Sequence, residues 1–244
     1  MQTLWFVLVA GMMATYVVLA VVLGAALGNV VRGVPLDADG YFFLPLWTNL
    51  RPGPEPGVLD WYTILCGAVA LVALATHGAH YLALKTSGDI NARARRLALK
   101  GGRALAGLLA LSLVASLAVR PGLLDNFRAH PIGLLIPTAV GGALVAMELA
   151  ARRGHERAAF AASCVFLIAT LAGAAFALFP VLLPSSADPA RALTVRDAAS
   201  DGYALNVALV WWIVGIVLVA ASFRYLYGQF RGKVAAGVAD SDTH

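Results

Sequence analysis

Long apolar runs separated by short polar segments set the pattern of this chain. Six runs have the length and hydropathy of membrane spans, at 3–27, 61–84, 102–119, 132–150, 158–183 and 204–227. A hydrocarbon core takes about 20 helical residues at roughly 1.5 Å each. The third run is the shortest, because it stops at Arg120-Pro121. The pattern predicts an all-α fold, a polytopic membrane helix bundle of about six transmembrane helices. One transmembrane domain is expected over 1–234, with a polar tail at 235–244. No loop is long enough to hold a separate soluble domain, and no internal repeat interrupts the series.

Composition agrees with the pattern. The chain is 60% hydrophobic and 13% charged, whereas an ordinary soluble domain carries about 25% charged residues. Charge placement adds orientation. The segments around 85–103 and 152–157 and the chain from 224 onward hold 12 of the 18 Lys and Arg residues. Alternating spans put these three segments on one side, so the positive-inside rule predicts that both termini are cytoplasmic. The sequence pI near 9.5 then needs no nucleic acid to explain it. Met1 to Gly28 lacks the basic start and the short apolar core of a signal peptide, and is expected to be a retained helix.

The polar segments carry what candidate chemistry there is. Between the first two spans, residues 28–62 contain Asp37, Asp39, Glu55 and Asp60, prolines at 35, 45, 52, 54 and 56, and the aromatic group Tyr41, Phe42, Phe43 and Trp47. Proline excludes a regular helix or central strand there, and such aromatics suit a membrane interface. An ordered cap over the bundle is expected, with Asp60 as N-cap of the second span. His77 and His80 share a helix face but sit near the end of that span, where an interfacial pair beside Tyr81 is the plainer reading than a haem or metal ligand set. Glu148 stands four residues before Arg152 and is read as a solvated helix end rather than a proton relay. Pro180 and Pro184 distort the exit of the fifth span, where Ser185 and Ser186 can serve freed carbonyls. Cys66 and Cys164 are read as small packing residues. With no CxxC, CxxCH, Walker or G-x-S-x-G pattern, the residues assign no catalytic, cofactor-binding or metal site.

Several segments taken together resemble a known family. Gly28-Asn29-Val30-Val31-Arg32-Gly33-Val34-Pro35, Asp60-Trp61-Tyr62-Thr63, His77-Gly78-Ala79, the stretch from Phe179 to Ser186, and Leu193-Thr194 with Asp197-Ala198 are similar, in the same order, to subunit II of the cytochrome bd quinol oxidases. Gln2 to Leu19 resembles the opening of that family's first helix, whereas Ala20 to Gly24 resembles the close of its fourth. The resemblance therefore implies an internal deletion near the N-terminus that removes a carboxylate-bearing segment. It further implies a haem-free subunit of a quinol:oxygen oxidoreductase in the bacterial cytoplasmic (inner) membrane. The partner would be a haem-bearing subunit I, holding the b- and d-type haems and acting on quinol and dioxygen. Two alternatives stay open: a non-catalytic structural or assembly partner, and an unrelated permease, for which broken helices and midplane polar residues would be expected.

Overall fold

The computed structural model describes residues 2–53, 56–229 and 232–233. Pro54 and Glu55 of the first loop, Arg231 and the polar tail lie outside the described residues. Among the described residues, six helices are long and apolar enough to cross a membrane. Helix α1 spans Gln2–Arg32, α2 Trp61–Lys85, α3 Gly88–Val119, α5 Leu135–Arg153, α6 Glu156–Leu178 and α7 Gly202–Gln229, with a short α4 at Asp125–Ala129. A small sheet pairs β1 (Val181–Leu183) antiparallel with β2 (Leu193–Thr194).

Local chemistry sets the helix ends. Asp60 caps α2 through a reciprocal capping box with Thr63, which satisfies N–H groups that a helix start leaves open. Gly154 closes α5 in the left-handed region at φ +76°, a conformation that costs glycine little. Helix α6 stops at Phe179, whose ψ of 137° is the extended setting favoured before a proline. Short 3-10 turns begin with Pro121 and Pro131, where the missing N–H costs nothing.

Several bounds differ from the sequence expectation: α1 runs on to Arg32 rather than stopping at 27, and the fifth span, expected over 158–183, ends as a helix at Leu178, with 181–183 in β1. The segment 88–101 is not a loop before the third span, because α3 runs unbroken for 32 residues, about 48 Å at helical rise. Its opening turns carry Arg93, Arg95 and Arg96 yet bury Ala94 and Ala98 on one face, so the helix is amphipathic before it becomes apolar. Helix α1 likewise crosses the Leu19-Ala20 junction without a break. Its burial changes there: every residue described from Trp5 to Leu19 is exposed or half-buried, and Ala20 is the first buried one.

The interior is built for close approach. Helix α2 packs on α1, α3 and α6, and α5 packs on α6 and α3. Among the described residues twelve alanines are buried, Ala73, Ala79, Ala83, Ala143 and Ala159 included, as expected where small residues let helices meet in a membrane. Larger side chains fill two centres. Tyr62, Val31, Leu123 and Leu178 form one near the first loop, and Leu105, Met147 and Phe166 form another further along the bundle. Helix α7 buries none of its residues.

Candidate functional site

The loop end of the bundle gathers most of the sequence motifs into one cap. Helix α1 ends at Arg32 because Gly33 takes φ +95° and Pro35 follows. The chain then pairs with the segment after β1: Val34 N donates to Pro184 O at 3.0 Å, and Ser186 N to Val34 O at 2.9 Å. A Cβ on Gly33 would come within 3.0 Å of Pro184 O, so the close approach also needs glycine. Residues far apart in sequence, 28–35 and 179–186, thus form one seam.

A buried ion pair sits under that seam. The Arg32 and Asp60 side chains are 3% and 0% exposed and pair directly. Arg32 also donates from Nη2 to Asn29 Oδ1 at 2.6 Å, from Nη1 to Gly57 O at 3.2 Å and from Nε to Gly33 O at 3.3 Å. Asp60 Oδ1 accepts from Thr63 N at 2.8 Å, and Asn29 Nδ2 donates to Ala25 O and Val58 O at 2.8 and 2.9 Å. Burying two charges is costly unless their remaining hydrogen-bonding positions are filled, and here they are. Arginine stays protonated in proteins, and both Asp60 oxygens are engaged. The cluster fixes geometry, welding the end of α1, the loop at 57–58 and the start of α2.

Further ties complete the cap. Arg120, after α3, donates from Nη1 to Val31 O at 3.3 Å, and burial holds its guanidinium below the usual arginine range. Tyr62 Oη and Ser116 Oγ lie 2.9 Å apart. Asn126 of α4 donates to Phe176 O at 2.8 Å and to Phe179 O, covering carbonyls at the end of α6. After β2, Asp197 Oδ2 accepts from the Thr194 hydroxyl at 2.7 Å and from Thr194 N at 3.0 Å. Those bonds, the hydroxyl first, hold the Asp197 carboxyl below the usual aspartate range. In the first loop, Val58 N donates to Pro45 O and Leu59 N to Leu46 O, so the proline-rich segment doubles back as an ordered structure. Its aromatics Tyr41, Phe43 and Trp47 stand exposed around it.

The sequence reading reached Asp60 as an N-cap but missed Arg32 as its partner. A usable signal was present: Asn29 and Arg32 lie three apart on one helix face, one turn before a chain reversal. His77 and His80 lie toward the opposite end of α2, in different surroundings. His77 Nδ1 is 2.8 Å from Ser163 Oγ, and its ring packs on Phe160 at 5.0 Å. Tyr81 packs on the same Phe160 at 5.5 Å. His80 is buried against the neighbouring helices. The two histidines sit one turn apart on α2, and the His77 ring nitrogen Nδ1 is engaged by Ser163. Glu148 meets Arg152 Nη2 at 2.7 Å as expected, and also Arg103 Nε of α3 at 3.1 Å. No group of three or more His, Cys, Asp or Glu able to hold a metal occurs among the described residues.

The arrangement is that of a multi-pass helical membrane protein whose ordered polar structure is a rigid cap at one end of the bundle. Comparison with known proteins gives it a lineage. Residues 7–230 match the family Cytochrome bd terminal oxidase subunit II, and the chain belongs to that family. It is 30% identical over 262 residues to a probable cytochrome oxidase subunit 2 of Haemophilus influenzae, covering 96% of this chain and 67% of that protein. It is 28% identical over 253 residues to the cytochrome bd-I ubiquinol oxidase subunit 2 of Escherichia coli K12, covering 91% and 64%. With the cytochrome bd ubiquinol oxidase subunit 2 of Bacillus subtilis it shares 28% over 216 residues, covering 88% and 60%. The chain thus spans about two thirds of the length of these relatives.

Proposed function

We propose that this protein is the haem-free subunit II of a bd-type quinol:oxygen oxidoreductase, a supporting subunit of the aerobic respiratory chain. The observation that carries the reading is the family match over nearly the whole chain. The relatives' names, cytochrome bd-I ubiquinol oxidase subunit 2 among them, support the same assignment. In this reading the protein resides in the bacterial cytoplasmic membrane with both termini in the cytoplasm. It pairs with a subunit I that carries the b- and d-type haems and meets quinol and dioxygen. This chain contributes no catalytic or haem-ligating residue. Its part is to present helix faces and a fixed cap to the partner.

A second reading is favoured by one observation, the loss of burial in α1 before Ala20. Large apolar residues there, Trp5, Phe6, Met12, Met13 and Tyr16, are all exposed, so this half of the helix lacks the neighbours that the second half has. A subunit lacking those neighbours would dock as a structural or assembly partner while supporting turnover poorly. Co-expression with a subunit I separates the readings. Co-purification with oxygen uptake per haem, on quinol, comparable to a full-length complex supports the oxidase role. Co-purification with uptake reduced tenfold or more supports the structural role. Failure to co-purify overturns both.

A further inference from the structure

The end of the bundle opposite the cap holds a cavity of about 690 Å³ where α2 ends and α6 begins. Lys85, His155, Arg157 and Lys233 line it, with Leu84 and Ala158 on its apolar side. One carboxylate enters this basic wall. Glu156 accepts from Lys233 Nζ at 2.5 Å and from Asn91 Nδ2 at 2.7 Å, so its charge is already balanced. Arg157 adds to the positive charge of the wall. Helix α6 starts here without a side-chain cap from His155, and its N-terminus brings the partial positive charge of the helix dipole to the same place.

The level of the cavity identifies the ligand class. It is bounded by the last residues of one membrane-crossing helix and the first residues of another, which places it where phospholipid headgroups lie. Orientation bias explains why basic residues cluster at this end, and Arg93, Arg96 and Lys100 need no other account. It does not explain why Arg157 and Lys233 line a concavity beside apolar Leu84 and Ala158. A phosphodiester with two acyl chains satisfies both walls, the anion against the basic side and the chain roots against the apolar one. We propose that this cavity binds the phosphate-bearing headgroup of an anionic phospholipid, held by Arg157 at the N-terminus of α6, with Lys233 neutralising Glu156 beside it.

Native mass spectrometry of the full chain in neutral detergent tests the site, with phosphatidylglycerol, phosphatidylcholine and sodium phosphate titrated separately. One phosphatidylglycerol per chain should be retained, and phosphatidylcholine should bind much more weakly. Arg157→Gln and Lys233→Gln should each weaken phosphatidylglycerol by about five-fold, the effect of one basic residue near an anionic lipid surface, whereas Arg96→Gln should not. Arg157→Lys should retain binding. Lys233 lies beyond the last spanning helix, so its substitution tests the site even if Arg157→Gln fails to fold. Equal affinity in Lys233→Gln and Arg96→Gln overturns the proposal, as does equal binding of the two lipids. Displacement of the lipid by equimolar phosphate would show a soluble-anion site instead.

Discussion

Arg32 and Asp60 hold two full charges out of water at the boundary of the bundle, and their value lies in being mutually complete. Removing one leaves the other buried and unpaired, which costs about 3–5 kcal/mol. Asp60→Ala and Arg32→Ala should each lower stability by that order in denaturant unfolding of the purified protein. Arg32→Lys should cost nearly as much, because an ammonium cannot serve Asn29, Gly57 and Asp60 from one planar fork. The double variant Arg32→Ala with Asp60→Ala should be less damaged than the sum of the singles, and strict additivity would sink the coupling. Asp60 was legible in the sequence because an acid just before a helical run has one obvious use. Arg32 was not, since a charge just past a span reads as solvated and its partner lies across an irregular loop of 27 residues. Asp197 shows the exposed counterpart. Its folded pKa is depressed, so its contribution is present above the unfolded aspartate value of about 3.9 and is lost as pH falls through the lower folded value. Thr194→Val removes the hydroxyl donor and should raise the Asp197 midpoint toward 3.9 in a carboxyl-carbon NMR titration.

Between elements, glycine and alanine set how closely helices approach, and the contact of α1 with α2 brings one helix onto the backbone of the other. A Cβ on Gly24 would meet Cys66 O at 2.7 Å and Gly67 Cα at 2.8 Å, which are backbone atoms that can yield only if the helices separate. Gly11 on the same helix has nothing within 4 Å. Gly24→Ala should therefore destabilise by about 1–3 kcal/mol, the usual range for overpacking. Gly11→Ala should be neutral to slightly stabilising through helix propensity. Equal thermal stability of the two variants would refute the close-packed α1–α2 contact. The existence and order of the spans were legible because twenty apolar residues have few other uses. The start of α3 was not, because hydropathy sees only the apolar half of a helix. Ala94, Ala98 and Leu105 continue one buried face through a stretch whose arginines dominate its appearance. The antiparallel pairing of β1 with β2 left no signal either, being a few residues that depend on the seam with Val34.

At the scale of the molecule, the motifs that are scattered in sequence assemble at one end, and the basic residues of the 85–103 and 152–157 segments collect at the other. That convergence could not be read from the chain, because segments 150 residues apart meet only through the alternation of the helices. The alternation itself fixes relative sidedness. The Arg32, Trp61 and Val119 ends share one side, and the Lys85, Gly88 and Arg153 ends share the other. What remains is which side is cytoplasmic, and the excess of Lys and Arg predicts that the 85–103 end is inside. Single cysteines decide it in a background with Cys66 and Cys164 replaced by alanine. Ala38 and Arg96 are both exposed, so labelling at either reports access rather than packing. Ala38→Cys should react with an impermeant maleimide in intact cells, and Arg96→Cys only after permeabilisation. The reverse result would place the aromatic and proline-rich cap in the cytoplasm and the basic cavity outside, against the insertion bias. It would also move that cavity away from the leaflet whose anionic lipids attract basic residues, so a single labelling experiment bears on orientation and on the lipid site together.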